Sequence, residues 1–509
     1  MNAIRCLTAT VVAASVLILL PDSSVAQDAS AIPDEVTLFK NVRIFDGTTN
    51  TLKEGLDVLV VRDTIQKIAE NIPAEGSYEI EVSGQSVKRV GDPYGGQGTY
   101  SFQVTDQEGK ATKKKVTVNV IDGGGMTLMP GLIDSHVHFN LSMDGGRPGM
   151  EQSRWDTISA YGMAAAQEWL ADGFTTVRDM GGMSNGLQRV IDRDLIDGPR
   201  IYLCAGMISQ TSGHGDMRLE SQTNPAENNL SKLGIIHIAD GPDEVRKAVR
   251  MNFNLGATHM KLMMAGGVAG NKSPTFASQY TDAEILAAVE EAATRDAYVA
   301  VHVYRDEHIQ RALKLGVMSI EHGQFISEDT ARFMKEKGAF IAPYIAAVQS
   351  DEILTHPVYG NKNSFEYART VEMKEATKDF VNIIKKVKPN IVFSIDVVST
   401  NGVEARRHRD HEKWIFAESF GNFEALIAMT SMGGKLAKLT GRNNPYPHNL
   451  GVIEEGAYAD IIVVDGNPLE DITVLGGNKE WFSAKPRERG IETIKLIMKN
   501  GKVYKNTLK

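Results

Sequence analysis

Between Met126 and His448 the chain alternates short apolar runs with longer stretches whose apolar residues recur at helical spacing, the rhythm of repeated βα units. The runs expected as strands are residues 132–137, 175–178, 199–205, 257–263, 298–303, 318–320, 340–342 and 391–395. Residues 282–295 and 306–315 carry helical spacing behind Thr or Asp caps. Eight strands are what a closed barrel requires, so the pattern predicts an α/β fold containing a (β/α)8 TIM barrel.

The flanks follow a different rule. Residues 38–44 and 56–61, separated by the turn Asp46-Gly47, read as short strands, and so do 459–465 and 491–503 near the other end. Two sheet segments on either side of a long middle predict one smaller β-sandwich built from both ends of the mature chain. Within the first flank, 99–104 and 111–120 alternate apolar and polar residues around a Gly-containing turn at 106–110, the signature of a β-hairpin. It reads as extra strands on the small sheet or as an exposed partner-binding hairpin; the Lys113-Lys114-Lys115 triplet within it reads as a solvated strand edge. The expected organisation is a signal peptide over 1–26, the first part of the sandwich over 27–125 with an insert at about 75–120, the barrel over 126–448 and the rest of the sandwich over 449–509.

Composition narrows the class. With 42% hydrophobic and 23% charged residues the 509-residue chain is ordinary globular material, and a net charge of -9 without a long basic run gives no reason to expect nucleic acid. Arg5, the apolar run 7–20 and Ser24-Val25-Ala26 form an export signal cleaved before Gln27. The alternative, an uncleaved anchor, is disfavoured because the run is shorter than the roughly 20 residues of a spanning helix. Removal of the leader takes Cys6 with it and leaves Cys204 alone, so the mature chain has no internal disulfide. The expected location is the periplasm or the medium.

Candidate chemistry gathers at strand ends. His136 and His138 close the strand 132–137 as His-x-His, and residues two apart on a strand point to the same side, so both can grip one ion. Two hydrogen-bonded histidines would look the same. The balance shifts because Lys261, His302, His322 and Asp396 sit at the ends of four later strands, where barrel enzymes build their sites.

These residues resemble the amidohydrolase superfamily, over nearly all of the mature chain except the hairpin. Gly198-Pro199-Arg200-Ile201, Ser212-Gly213-His214-Gly215-Asp216, Lys261 with Gly266-Gly267-Val268, Ser319-Ile320-Glu321-His322-Gly323, and Gly451 to Gly456 leading to Ala459-Asp460 are most similar to its imidazolonepropionase-related branch. That branch contains Xaa-Pro and Xaa-Arg dipeptidases, carboxypeptidases and ochratoxin-type amidases. The resemblance implies that His136, His138 and Asp396 hold one divalent ion, His302 and His322 hold a second, and Lys261 bridges them as an N6-carboxylated side chain. Zinc is the expected metal, although cobalt and manganese satisfy the same mixed ligands. A lysine desolvated in a barrel mouth has a lowered pKa and so captures carbon dioxide more readily; if Lys261 stays a plain lysine, the centre is mononuclear. Two ions sharing a water supply hydroxide near neutral pH, and Asp396 acts as general base and then acid. Ile395 and Val397 around Asp396 depart from the commoner family form. His214 is expected at the developing oxyanion, with Tyr304, and more weakly Arg218, at a substrate carboxylate; an ordinary loop hydrogen bond is the plain alternative for each.

The expected activity is hydrolysis of an amide or peptide bond in a small carboxylate-bearing substrate, a dipeptide or N-acyl amino acid, including ochratoxin-like amides. The same centre would also serve a lactonase, cyclic amidase or phosphotriesterase, and a non-catalytic binding barrel is the remaining alternative. A small-molecule substrate, no nucleic acid, no stable membrane span after leader removal, and a homo-oligomer complete the expectation. The charged stretch 406–413, with His408 and His411, reads as a solvated helix or lid; His259 as a neighbour of the ligands; and His237, His308, His356 and His448 as surface or packing residues.

Overall fold

The computed structural model describes residues 35–74, 76–77, 81–82, 85–86, 99–105, 111–182, 185–268, 273–357 and 359–508. The leader expected over 1–26 and the hairpin turn at 106–110 lie outside the described residues. The described residues fall into two compact units, one within residues 74–118 and the other comprising residues 36–73 and 119–508. In the first unit, Thr99–Thr105 pairs antiparallel with the strand that begins at Ala111, in the register Thr99 to Thr117, and Gly76–Ser77 runs parallel to Thr99–Thr105.

The larger unit contains the sandwich strands. Glu35–Lys40, Asp57–Val61 and Thr64–Ala69 pair antiparallel in one sheet. The other sheet has the order Arg43–Ile44, Thr127–Pro130, Ile461–Val464, Ile494–Lys499, Lys502–Asn506, so residues from both ends of the chain hydrogen-bond side by side. Phe39, Val58, Ile65, Leu128, Ile461 and Leu496 are fully buried in a shared core; burying each such side chain favours folding by about 1.5–3 kcal/mol. The single strand expected over 491–503 is instead a hairpin, turned at Asn500 and Gly501 with φ of 55° and 71°. An Asn-Gly pair is the natural choice for that left-handed turn.

The remaining strands form the barrel: β1 (Leu132–Val137), β2 (Phe174–Asp179), β3 (Arg200–Leu203), β4 (Met260–Met263), β5 (Val299–Arg305), β6 (Ser319–Phe325), β7 (Phe340–Ala342) and β8 (Asn390–Ile391). Pairing is parallel throughout, and each of the first seven strands is buried along nearly its whole length, which explains why they read as unbroken apolar runs. The sheet closes because Ser135 N donates to Phe393 O and Asp396 N donates to His136 O, both at 2.9 Å, joining the end of β8 to β1.

One strand is not what the apolar pattern suggested. The run 199–205 ends at Leu203, the backbone turns at Ala205 with φ of 61°, and Met207–Ser209 continues the strand beside β4 through the pair Ile208 and Leu262. Helix Asp282–Ala293 begins with a full capping box between Thr281 and Glu284, as its sequence predicts. Helix Asp306–Lys314 begins behind Arg305, which makes no side-chain cap, so the expected Asp cap is a first-turn residue instead.

The stretch 406–413 is a correction to the sequence reading. It lies in helix Gly402–Phe420, and Arg409, Asp410, His411, Glu412 and Lys413 are buried rather than solvated. The charges of Arg409, Asp410 and Lys413 are matched internally: Arg409 reaches Asp172 at 2.7 Å, Arg487 bonds both Asp172 and Asp410, and Lys413 pairs with Asp410 and donates to Leu475 O. Among the described residues no helix is long and apolar enough to cross a membrane.

Candidate metal centre and active site

His136 lies near the C-terminal end of β1 and His138 just beyond it. His136 Nδ1 donates to Glu321 Oε2 at 2.8 Å and His138 Nδ1 donates to Gly181 O at 3.2 Å. A carboxylate and a carbonyl can only accept, so the proton of each ring sits on Nδ1. The two Nε2 atoms are then bare lone pairs, and they face each other at 3.2 Å. Burial holds His136 well below the usual imidazole pKa, against a second proton on that ring.

Asp396 completes the group, its Oδ1 lying 3.4 Å from His136 Nε2 and 3.3 Å from His138 Nε2. Two imidazole lone pairs and a carboxylate oxygen converging within 4.8 Å repel one another unless a cation lies among them. Hard and borderline divalent metals take this N and O donor set, so the residues present fit such an ion.

The other expected ligands are brought to the same mouth. Lys261, on β4 and 1% exposed, places Nζ 3.4 Å from His136 Nε2, and burial pushes its ammonium pKa down. His302 on β5 gives its Nε2 proton to Gly266 O at 3.1 Å, which leaves Nδ1 as its lone pair. His322 on β6 lies with its ring 4.5 Å from that of His302 and its Nε2 3.8 Å from Asp396 Oδ2. Both His322 and Asp396 have left-handed backbone, with φ of 76° and 49°. Such residues cost of order 1–3 kcal/mol each and cluster where function demands a particular side-chain direction.

His214 stacks on His302 with ring centroids 4.2 Å apart, and its backbone N–H donates to Gln279 at 3.1 Å. Gly267 lies directly beneath: a Cβ there would stand 2.0 Å from His214 Cε1. Tyr304 stacks on His322 at 5.0 Å. Arg218 is not brought into the cavity lining. Its guanidinium is held by Asp216 at 2.6 and 2.8 Å and by Thr223 O at 3.0 Å, and Met217 forms the wall at that point.

The residues that fix this geometry were largely missed from sequence. Glu321, fully buried, holds His136 while Arg178 donates to both of its oxygens at 2.8 Å; Arg178 also bonds Ser135 O and Ser319 Oγ. Burial raises Glu321, and the neighbouring Arg178 and Lys261 charges outweigh it, so the carboxylate stays ionised and ready to accept from His136. Asp179 is pushed up to about 6 by burial and accepts from Phe139 N and Gly181 N, bracing the turn that carries His138. Charged residues inside otherwise apolar strands, Arg178 on β2 and Glu321 on β6, were the available signal. His259 is buried, stacks on Tyr298 at 5.3 Å and approaches Met180 Sδ, below the ligands.

The metal-ligand candidates sit in a cavity of about 530 Å3, also lined by Tyr304, His214, Met217, Met263 and a set of aromatic side chains. His356 and His408, read from sequence as a packing residue and part of a solvated helix, both line it.

The amidohydrolase family model matches residues 127–504. The ochratoxinase of Aspergillus niger is 29% identical over 364 residues, 68% of this chain and 72% of its own. Among solved structures, an amidohydrolase superposes with a TM-score of 0.73 at 29% identity, and a prolidase complexed with N-methylphosphonate-L-proline with 0.74 at 27%. Each covers 93% of this chain and 100% of the matched one.

Proposed function

The chain belongs to the amidohydrolase family and is a hydrolase acting on C–N bonds, and from that premise we propose that it cuts the amide bond of a small carboxylate-bearing substrate, a dipeptide or N-acyl amino acid, with the help of two divalent metal ions. His136, His138 and Asp396 would hold one ion and His302 and His322 the second. Lys261, carboxylated at Nζ, would contribute an anionic oxygen to each. When bound, the pair lowers the pKa of a shared water and polarises the scissile carbonyl.

The rest falls to the chain itself. Asp396 takes the proton of the attacking water and returns it to the leaving nitrogen. His214, fixed between His302 and the Gln279 anchor, donates to the carbonyl oxygen as negative charge builds on it. Tyr304, whose phenol is kept protonated because burial raises its pKa, binds the substrate carboxylate as a neutral donor. Glu321 and Arg178 keep the His136 ring in the tautomer that leaves Nε2 free. Export by the N-terminal leader would set this hydrolysis outside the cytoplasm.

The observation that carries the proposal is the pair of bare Nε2 atoms facing each other at 3.2 Å beside the Asp396 carboxylate. The test is product release by the metal-replete protein from a panel of dipeptides and N-acyl amino acids, with lactones and phosphotriesters alongside. Turnover of the amides above the esters supports it. No amino acid released from any amide, with metal present, overturns it.

A further inference from the structure

At one part of the cavity wall the lining changes from ligand-type groups to rings. Trp481 and Phe482 stack with centroids 4.4 Å apart; His408 stands edge-on to Trp481 at 4.9 Å; His356 tilts against Phe482 at 5.2 Å and against Tyr359 at 5.1 Å. Tyr344 joins them through its hydroxyl, which bonds His408 Nδ1 at 2.8 Å. Trp481 is fully buried, but the other five rings are only half-buried and all six line the cavity. We infer that Tyr344, His356, Tyr359, His408 and Phe482, with the buried Trp481 supporting Phe482, form a recognition site for a planar aromatic ring carried by the scissile amide, an inference that rests on the amide-hydrolysing function proposed above.

Three observations favour an aromatic ligand over an ordinary packing cluster or a charged group. The rings meet edge-on, tilted and stacked at 4.4–5.2 Å, the arrangements a further ring extends with favourable quadrupole contacts. Neither imidazole offers a cation for a substrate carboxylate: burial lowers the pKa of His356, and burial with the nearby His356 and His411 holds His408 down to about 3. The wall is also fixed before any ligand arrives. Glu352 accepts from Trp481 N at 3.0 Å, Ser483 N at 3.1 Å and Ser483 Oγ at 3.0 Å. Arg407 donates to Ala484 O at 2.5 Å, and Arg487 anchors the same segment to Asp410 and Asp172. A preformed wall loses little entropy on binding a flat, rigid group.

The ring can belong to the acyl or the amine half of the amide, and inert products separate the two. Binding of 2-naphthoate and of 3-(2-naphthyl)alanine is measured by calorimetry on the full protein as purified, with propionate and alanine as ring-free counterparts, for wild type, Phe482→Ala and Phe482→Tyr. Phe482 is the half-buried ring that stacks on the packed Trp481, and Phe482→Tyr keeps that stack. The expected result is that at least one ringed ligand binds more tightly than its counterpart, that Phe482→Ala weakens it by about tenfold, and that Phe482→Tyr restores it while propionate and alanine are unaffected. Equal binding of ringed and ring-free ligands, an unchanged affinity in Phe482→Ala, or failure of the Tyr variant to restore it overturns the inference. Because no bond is cut in this experiment, loss of ring binding is distinct from failure of the proposed hydrolysis, which shows as absent turnover across the amide panel.

Discussion

Glu321 accepts the Nδ1–H of His136 at 2.8 Å while both of its oxygens are held by Arg178 at the same distance, so one buried carboxylate orients the His136 ring and neutralises a buried guanidinium. The isosteric change Glu321→Gln keeps the shape and removes the charge. Such outer partners are typically worth about 10–100-fold in metal affinity. Competition with a chelator is expected to show a loss in that range for Glu321→Gln, together with reduced thermal stability, because Arg178 is left without its counter-ion.

Asp396→Asn removes the carboxylate proposed above as both metal ligand and proton acceptor. General acid–base groups contribute about 10²–10⁴-fold, and a fall in kcat at least that large is expected with far-ultraviolet circular dichroism unchanged. Near-native turnover by the Asn variant would contradict the role given to this carboxylate.

Gly267→Ala tests His214 without touching it. The added methyl would stand 2.0 Å from the His214 ring, which must leave its stack on His302. The expectation is a kcat loss comparable to that of His214→Ala, about 10²–10³-fold for an oxyanion donor, with metal content retained. A Gly267→Ala enzyme as active as wild type argues that His214 has no catalytic contact.

Glu412, fully buried in helix Gly402–Phe420, accepts from Ile345 N and Ala346 N, and burial pushes it up to about 8 from 4.5. Its folded form therefore keeps a proton that the unfolded chain has already released between pH 4.5 and about 8. The stability it contributes is full below 4.5 and is lost as the pH rises through 8. Thermal midpoints of wild type are expected to fall relative to Glu412→Gln across that window, and parallel pH profiles would contradict the assignment.

How much of this was legible in the sequence depended on what each residue's neighbours are. The barrel strands were readable because they are buried on both faces and so appear as apolar runs, and the ligand types stood out at their ends. The turn at Ala205 was not, since nothing about an alanine announces a left-handed backbone. Residues 406–413 were misread because Arg409 paired with Asp172 in the interior has the same local signature as charges in water; only the fold brings the partner, 237 residues away, alongside. Trp481 and Phe482 reach the cavity from beyond the barrel segment, held there by Glu352 and Arg487, and no spacing rule points to them.

In the proposed centre a cation holds the facing lone pairs of His136 and His138 together. Metal quantification on the full protein, purified after metal-replete growth, addresses that directly. About two divalent ions per chain are expected, in line with the paired-metal chemistry proposed, falling when His136→Ala and His138→Ala are introduced together. Protein that retains no ion, or whose metal content is indifferent to loss of these two histidines, would contradict it.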